Sequence, residues 1–322
     1  MLGQAIADPF QFHAHPEVWV LVLFLIGAYV YAVKFVGPHA VPAGQPVVTR
    51  RNIVCFVGAM LLLEVASDYP MHDIGEQYLY SVHMLQHMML SYFMPPLVLL
   101  ATPEWLLRVL VGNGRGYAVL KWFAKPVVAG ILFNLAVMVT HIPGVVNASV
   151  ESSSPVLHYS LHVMVVTTAL LMWMPVCGPF KELQMGTPGK MIYLFLQSVV
   201  PTIPAGWLAF ADGAVYKAYL KPVRLWGISV TTDQQMAGAL MKVGGSMFLW
   251  TIIIILWFTR FSRPVRDEYD YKRGHTMPES EIVGHDDDPL TYDEVEREFR
   301  RVPAPDEPAP AGERPPGSVI DS

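Results

Sequence analysis

The stretch from Tyr80 to Met94, YSVHMLQHMMLSYFM, decides which fold this sequence predicts. It is apolar enough to lie in a membrane, yet it carries His83 and His87 four residues apart. On a helix, that spacing places both imidazoles on one face, one turn apart. Ionisable side chains in lipid are costly unless they face a partner, a cavity or a metal ion. The stretch therefore predicts a membrane helix whose histidines meet polar groups from other helices.

The composition indicates an integral membrane protein with a polar tail. Of the 322 residues, 53% are hydrophobic, and the mean hydropathy is +0.37. Several runs reach the roughly 20 apolar residues that a membrane-spanning helix needs. From Phe261 onward, however, 16 acidic and 8 basic residues follow without apolar periodicity, which predicts disorder. We therefore expect three parts: an extracytoplasmic N-terminal tail (1–16), a membrane domain (17–260) and a disordered, acidic, proline-rich cytoplasmic tail (261–322).

Span length and helix-breaking residues predict an all-α bundle of about seven transmembrane helices. The third predicted helix carries Pro95 and Pro96, so we expect a kink or an early end there. The segment after the second helix, with His72, is expected to be a loop. The predicted helices are Glu17–Val36, Arg51–Ala66, Gln77–Leu100, Pro126–His141, Val156–Cys177, Lys190–Ala211 and Gln235–Arg260.

The distribution of Lys and Arg predicts the orientation in the membrane. The first, third and fifth loops carry basic residues, whereas the N-terminus and the second and fourth loops carry none. The positive-inside rule then places the N-terminus outside and the tail in the cytoplasm. The sixth loop is an exception to this rule, because it carries Lys217, Lys221 and Arg224 on the predicted outer side. We expect a multi-pass protein of the bacterial inner membrane that contacts lipid, with no nucleic acid among its partners.

In this orientation, histidines from several helices fall near the outer surface. A second pair with the same spacing, His158 and His162, begins the fifth helix, and His141 ends the fourth. One membrane histidine commonly only hydrogen-bonds a neighbouring helix, but five at one depth favour a metal or heme site. Imidazole binds copper, zinc and iron, and thioether sulfur adds a preference for Cu(I). The predicted metal ligands are His83, His87, His141, His158, His162, Met84, Met241 and Asp233.

Three segments, in this order, resemble the CtaG-type family of multi-span cytochrome c oxidase assembly proteins. They are YSVHMLQHMMLSYFMPPLVLLATP (80–103), HIPGVVNASVESSSPVLHYSLH (141–162) and AVYKAYLKPVRLWGISVTTDQQMAGALMKVGG (214–245). The resemblance covers about Asp68 to Gly245. The family-like positions are His83, His87, His141, His162, Asp233, Gln234 and Gln235, whereas His158 enters through its spacing alone. A single-span copper chaperone that shares the family's name carries a cysteine pair; this chain has no such pair, so its mechanism is not transferred.

The resemblance implies a protein that helps to mature a heme-copper oxidase of the respiratory chain. It implies copper as the cofactor or cargo, a periplasmic copper donor, and the catalytic subunit of the oxidase as the partner that receives the ion. No bond needs to be made or broken, so we expect no enzymatic activity.

Three alternatives remain open from the residues alone. The histidines could ligate a b-type heme axially, which a Soret band would reveal. They could hold zinc for an intramembrane hydrolase, with Glu64, Asp68 or Asp233 as the general base. They could also bind only neighbouring helices in a metal-free assembly scaffold.

Overall fold

The computed structural model describes residues 10–151, 156–221 and 223–274. Of the residues in these ranges, 80% are helical, and none lies in a strand. Five helices are long and apolar enough to cross a membrane, and the number rises to seven if each of two bent helix pairs forms one span. These observations confirm the predicted all-α membrane fold with about seven spans.

We number the helices in chain order. They are α1 (Pro16–Ala40), α2 (Arg50–Ser67), α3 (Met71–Gln77), α4 (Tyr80–Ala101), α5 (Glu104–Val111), α6 (Arg115–Phe123), α7 (Pro126–Thr140), α8 (Pro143–Glu151), α9 (Val156–Cys177), α10 (Thr187–Ala209) and α11 (Val230–Ser262, continuing to Gly274). The bent pairs are α2 with α3, at 41°, and α6 with α7, at 70°. Single π turns interrupt α1, α4 and α11 at Ala32–Val36, Met89–Phe93 and Leu240–Gly244.

Two predicted boundaries differ from the structure. The segment expected to be a loop after the second helix forms α3. The last helix continues to Gly274, past its predicted end at Arg260. The predicted disorder of 275–322 and most of the predicted N-terminal tail, 1–9, lie outside the described residues.

Helix α4 lies at the centre of the membrane domain. Of its most apolar window, 61% is buried, compared with 11% for α1 and for α11. Its first half packs against α3 and α11, and its second half packs against α2 and α9. The helix that carries the first histidine pair is therefore positioned by four neighbours.

The two prolines of α4 do not end the helix, which continues to Ala101. Neither Pro95 nor Pro96 has an N–H, so the carbonyl of Ser91 loses both donors that an α or a π turn would supply. Nε1 of Trp173 on α9 donates a 3.1 Å hydrogen bond to this carbonyl instead. The predicted kink thus takes the form of a π turn whose free carbonyl ties α4 to α9.

Candidate metal centre

Three helices bring a carboxylate and histidines together near the start of α4. Oε1 of Glu76, on α3, lies 2.8 Å from Nδ1 of His83 on α4 and 3.2 Å from Nε2 of His158 on α9. The side chains of Glu76, His83 and His158 are only 17%, 11% and 11% exposed. A carboxylate held this far from water needs a cation or strong donors to offset its desolvation.

The histidine rings pack against one another in a compact group. Ring centroids are 4.5 Å apart for His83 and His87, 4.5 Å apart for His158 and His162, and 4.9 Å apart for His87 and His162. The ligand atoms of His83, His87 and His162 all lie within 4.8 Å of one another, and so do those of Glu76, His158 and His162. Both three-ligand groups contain His162, so together they form one cluster, which we call the histidine–glutamate cluster (Glu76, His83, His87, His158 and His162).

Four buried ligand atoms of this cluster have no hydrogen-bond partner. They are Glu76 Oε1, His83 Nδ1, His158 Nε2 and His162 Nε2. The Glu76 carboxylate nevertheless lies within ion-pair distance of two imidazoles, 2.8 Å from Nδ1 of His83 and 3.2 Å from Nε2 of His158. Buried polar atoms are almost always paired, so an exception needs an explanation. Among the described contacts His162 Nε2 has no ion pair, and the convergence of these ligand atoms is an arrangement that a metal ion could satisfy in place of the ion pairs.

The structure identifies Glu76, which sequence reasoning missed. It lies four residues after His72 on α3, so the helix repeats the four-residue spacing of the histidine pairs. That spacing is the signal in the sequence for a helix here, where a loop is predicted. The His72 ring lies 6.0 Å from the His158 ring, which places His72 beside the cluster.

The segment before α1 packs against α3. Nε2 of His15 lies 3.4 Å from Oδ1 of Asp73, and Nδ1 of His13 lies 3.7 Å from Oδ2 of the same carboxylate. The His15 ring also meets the His72 ring edge-on at 4.9 Å. Polar groups therefore continue from the half-exposed His13 side chain to the buried cluster.

Asp233 lies at the beginning of α4 rather than among the histidines. Its carboxylate accepts hydrogen bonds from the backbone N–H groups of Tyr80 (2.7 Å) and Ser81 (3.0 Å), and from the Ser81 hydroxyl (2.6 Å). The first N–H groups of a helix lack intrahelical partners, and a negative charge there is favourable. Asp233 thus caps, from α11, the helix that carries His83. It belongs to neither three-ligand group of the described residues, and its predicted role as a ligand stays a prediction.

The neighbouring Gln234 anchors the loop between α10 and α11. Its side-chain oxygen accepts from the backbone of Val215 (2.8 Å) and Tyr216 (3.2 Å), and its nitrogen donates to the Tyr216 carbonyl (3.1 Å). The Tyr219 hydroxyl then donates to the carbonyl of Gly75, beside Glu76 (3.0 Å). Burial raises the pKa of Tyr216 to about 12 and that of Tyr219 well above its usual range, so both hydroxyls stay protonated donors.

His141 and Met84 form a separate pair. His141 follows α7 directly, and its Nε2 lies 3.3 Å from Sδ of Met84 on α4. Both residues are buried, and His141 belongs to neither three-ligand group of the described residues. Met241 of α11 lies in the same hydrophobic cluster as Met84 and lines the same small cavity as His141. The residues predicted to form one site therefore lie in three places: the histidine–glutamate cluster, the neighbouring group of His141, Met84 and Met241, and the start of α4, where Asp233 lies.

A large apolar cavity reaches the histidines from the side. It has a volume of about 730 Å³ and lies between α1, α2, α4 and α9. His72, Gln86, His158 and His162 line its polar end. The cluster can therefore be approached through this cavity, from between the helices, as well as past His13 and His15.

An all-α chain with five to seven apolar spans and a buried cluster of histidines with a carboxylate is a multi-span membrane protein with a candidate metal centre. Residues 27–263 match the family model described as cytochrome c oxidase caa3 assembly factor (Caa3_CtaG). Because the match covers well over half of the chain, the protein belongs to this family, which confirms the resemblance found in the sequence. No curated protein and no solved structure matches the chain significantly.

Proposed function

We propose that this protein holds a copper ion in the histidine–glutamate cluster and passes it to the catalytic subunit of a caa3-type oxidase during assembly. The observation that carries the proposal is the convergence of ligand atoms from three helices in two groups, His83 with His87 and His162, and Glu76 with His158 and His162, within 4.8 Å in each group. Membership of an assembly-factor family supplies the recipient. Copper is the cargo here, delivered by a periplasmic donor to a site that the predicted orientation places outside.

The ligand set suits a divalent late first-row metal ion. Imidazole nitrogen binds copper, zinc and iron, and one carboxylate lowers the net charge of the bound ion. More than four candidate ligands lie within reach, so an ion can exchange one ligand for another as it moves. Such exchange is what a carrier needs, since it must release the ion as well as bind it.

The packing of the rings favours an ion over a heme. His83, His87 and His162 are in ring contact with one another, at centroid distances of 4.5 to 5.8 Å. A flat macrocycle has to lie between its two axial ligands, and rings in mutual contact leave no such gap. An absorption spectrum of the purified protein without a Soret band is the expected result.

A zinc-dependent hydrolase is the second candidate, and one observation favours it. Glu76, His158 and His162 form a group of two histidines and one glutamate, which catalytic zinc sites also use. Asp68 and Asp233, predicted as general bases, have other partners: Asp68 accepts a 2.8 Å bond from Trp19, and Asp233 caps α4. Chelator-sensitive turnover of a lipid substrate would support this candidate over copper transfer.

The proposal is tested in cells that lack this protein and express either the wild type or a variant. His162→Ala is the informative variant because His162 belongs to both three-ligand groups. His39→Ala is the matched control, since His39 is exposed and bonds only the carbonyl of Phe35 among the contacts described (2.9 Å). We expect the oxidase isolated from His162→Ala cells to contain heme but too little copper, and the control to be normal. A fully copper-loaded oxidase in His162→Ala cells would refute copper transfer by this cluster.

A further inference from the structure

His141 is held in one tautomer by the backbone of its own helix. Its Nδ1 lies 2.6 Å from the carbonyl oxygen of Val137, which only a protonated ring nitrogen can approach so closely. A neutral imidazole carries one proton, so Nε2 presents a lone pair. This fixed orientation is how ligating histidines are commonly positioned.

The lone pair of His141 points at another atom without a proton. Nε2 lies 3.3 Å from Sδ of Met84, and a thioether can only accept. Both residues are at least 95% buried, so neither atom is solvated by bulk water. Two buried acceptors that face each other cannot form a hydrogen bond, so they have no favourable polar interaction unless a cation binds between them.

A small cavity of about 30 Å³ adjoins this pair, and a volume of that size holds about one water molecule or one ion. Three thioethers border it, from Met84 and Met88 on α4 and Met241 on α11. His87 borders it too, and His87 is also a member of the histidine–glutamate cluster. The lining of this cavity carries no charge when its histidines are neutral. The lining residues are Met84, His87, Met88, Ser91, Tyr92, Val137, Thr140, His141, Val165, Pro201 and Met241.

We propose that His141, Met84 and Met241 form a second, Cu(I)-selective site, separated from the histidine–glutamate cluster and linked to it by His87. Thioether and imidazole together are soft ligands that select Cu(I). The lack of a carboxylate in this site also favours Cu(I). The free-energy cost of burying an ion rises with the square of its charge, so a site of neutral ligands suits a monovalent ion best. The histidine–glutamate cluster suits a divalent ion, because the negative charge of Glu76 offsets part of the charge of the ion.

This inference rests on the proposed function only for the direction of transfer, not for binding at the methionine site. His87 borders both places, so an ion held by His83 and His162 can gain the ligands of the methionine site before it loses its own. The transferred ion is Cu(I) throughout, held in the cluster by the neutral imidazoles of His83, His87 and His162 rather than by Glu76, so this step needs no oxidant or reductant.

The test uses two redox-stable probe ions on the detergent-purified full chain. Zn²⁺ reports on the histidine–glutamate cluster, and Ag⁺, in chloride-free buffer, reports on the methionine site as an analogue of Cu(I). The protein is first loaded with Zn²⁺ and then titrated with Ag⁺. Met84→Leu removes one thioether at nearly constant volume, so the fold should be retained. Met60→Leu is the control, because Met60 is a buried methionine packed in a different hydrophobic cluster.

We expect the wild type and Met60→Leu to bind one Ag⁺ with Zn²⁺ still bound, and Met84→Leu to bind Ag⁺ at least about tenfold more weakly, with unchanged Zn²⁺ binding. Equal Ag⁺ affinity in Met84→Leu and wild type, or no Ag⁺ binding by the wild type, would overturn the inference. If Ag⁺ binding depends on Met84 but the wild type retains neither Zn²⁺ nor copper at the cluster, the proposed function fails and the methionine site stands. A decrease in sulfur scattering from Cu(I)-loaded Met241→Leu relative to the wild type in X-ray absorption would support the site independently.

Discussion

Glu76 and His83 bring a carboxylate oxygen and an imidazole nitrogen to 2.8 Å of each other, within ion-pair distance, across the junction of α3 and α4. The junction is short, since α3 ends at Gln77 and α4 begins at Tyr80. The chain therefore holds two ligand atoms in place with little conformational freedom left between them, which lowers the entropic cost of binding an ion.

The first prediction concerns the charge of Glu76. Glu76→Gln keeps the shape of the side chain but removes its negative charge, so we expect Zn²⁺ or Cu²⁺ affinity to fall at least about tenfold, as even loss of an outer partner costs that much at metal sites. Calorimetric titration of the purified protein measures the change. Glu104→Gln, at an exposed ion pair with Arg108, is the control. Unchanged affinity in Glu76→Gln would remove the carboxylate from the site.

The second prediction separates capping from ligation at Asp233. Asp233→Asn weakens the bonds from Tyr80 and Ser81, and hydrogen bonds to a charged group contribute about 1.5–3 kcal/mol each. We expect a lower thermal unfolding temperature with the number of bound metal ions unchanged. Loss of one bound ion at unchanged stability would instead make Asp233 a ligand, as the sequence analysis predicted.

The third prediction concerns the tie between α4 and α9. Trp173→Phe leaves the Ser91 carbonyl unpaired and buried, which should cost about 1–3 kcal/mol of unfolding free energy. In a Pro95→Ala background, a backbone N–H becomes available to that carbonyl, so the same substitution should cost less. A double-mutant cycle by denaturant unfolding measures the coupling. Additive effects would show that Trp173 does not compensate for the proline.

The fourth prediction concerns the dependence of stability on pH. Burial raises the pKa of Tyr216 to about 12 from an ordinary value near 10, so the folded protein keeps a proton that the unfolded chain releases. Its contribution to stability is present below about pH 10 and is lost as the pH rises towards 12. Tyr216→Phe should lower the stability by a similar amount at neutral and lower pH, because it removes the 2.9 Å hydrogen bond to the His141 carbonyl. Stability should then fall less steeply above about pH 10 than in the wild type. Thermal unfolding at several pH values, with exposed Tyr31→Phe as the control, decides this; an equally steep decline in Tyr216→Phe would contradict it.

Local spacing predicted the parts of this site that depend on one helix at a time. The pairs His83/His87 and His158/His162 each lie on one helix, and the structure brings both pairs together. The role of Glu76 could not be predicted from the sequence, because α3 is too short and too polar to show an apolar periodicity. The pairing of Asp233 with the start of α4 joins residues about 150 positions apart, and spacing along the chain carries no information about such contacts.

The separation of His141 from the other histidines could not be predicted for a related reason. Depth in the membrane placed all five histidines near one surface, but depth does not fix the direction in which a side chain points. The bond from Nδ1 of His141 to the Val137 carbonyl turns the ring towards Met84. That choice depends on tertiary packing between α4, α7 and α11, which the sequence does not reveal.

The sharpest measurement is the metal content of the full-length protein purified from copper-supplied cells, determined by elemental analysis for the wild type and for His162→Ala. His162 is shared by both three-ligand groups, so its loss should weaken the whole cluster. We expect copper bound to the wild type in near-stoichiometric amount and strongly reduced in His162→Ala, with both proteins equally folded by circular dichroism. Equal copper content in the two proteins, or none in the wild type, would contradict a copper-holding cluster.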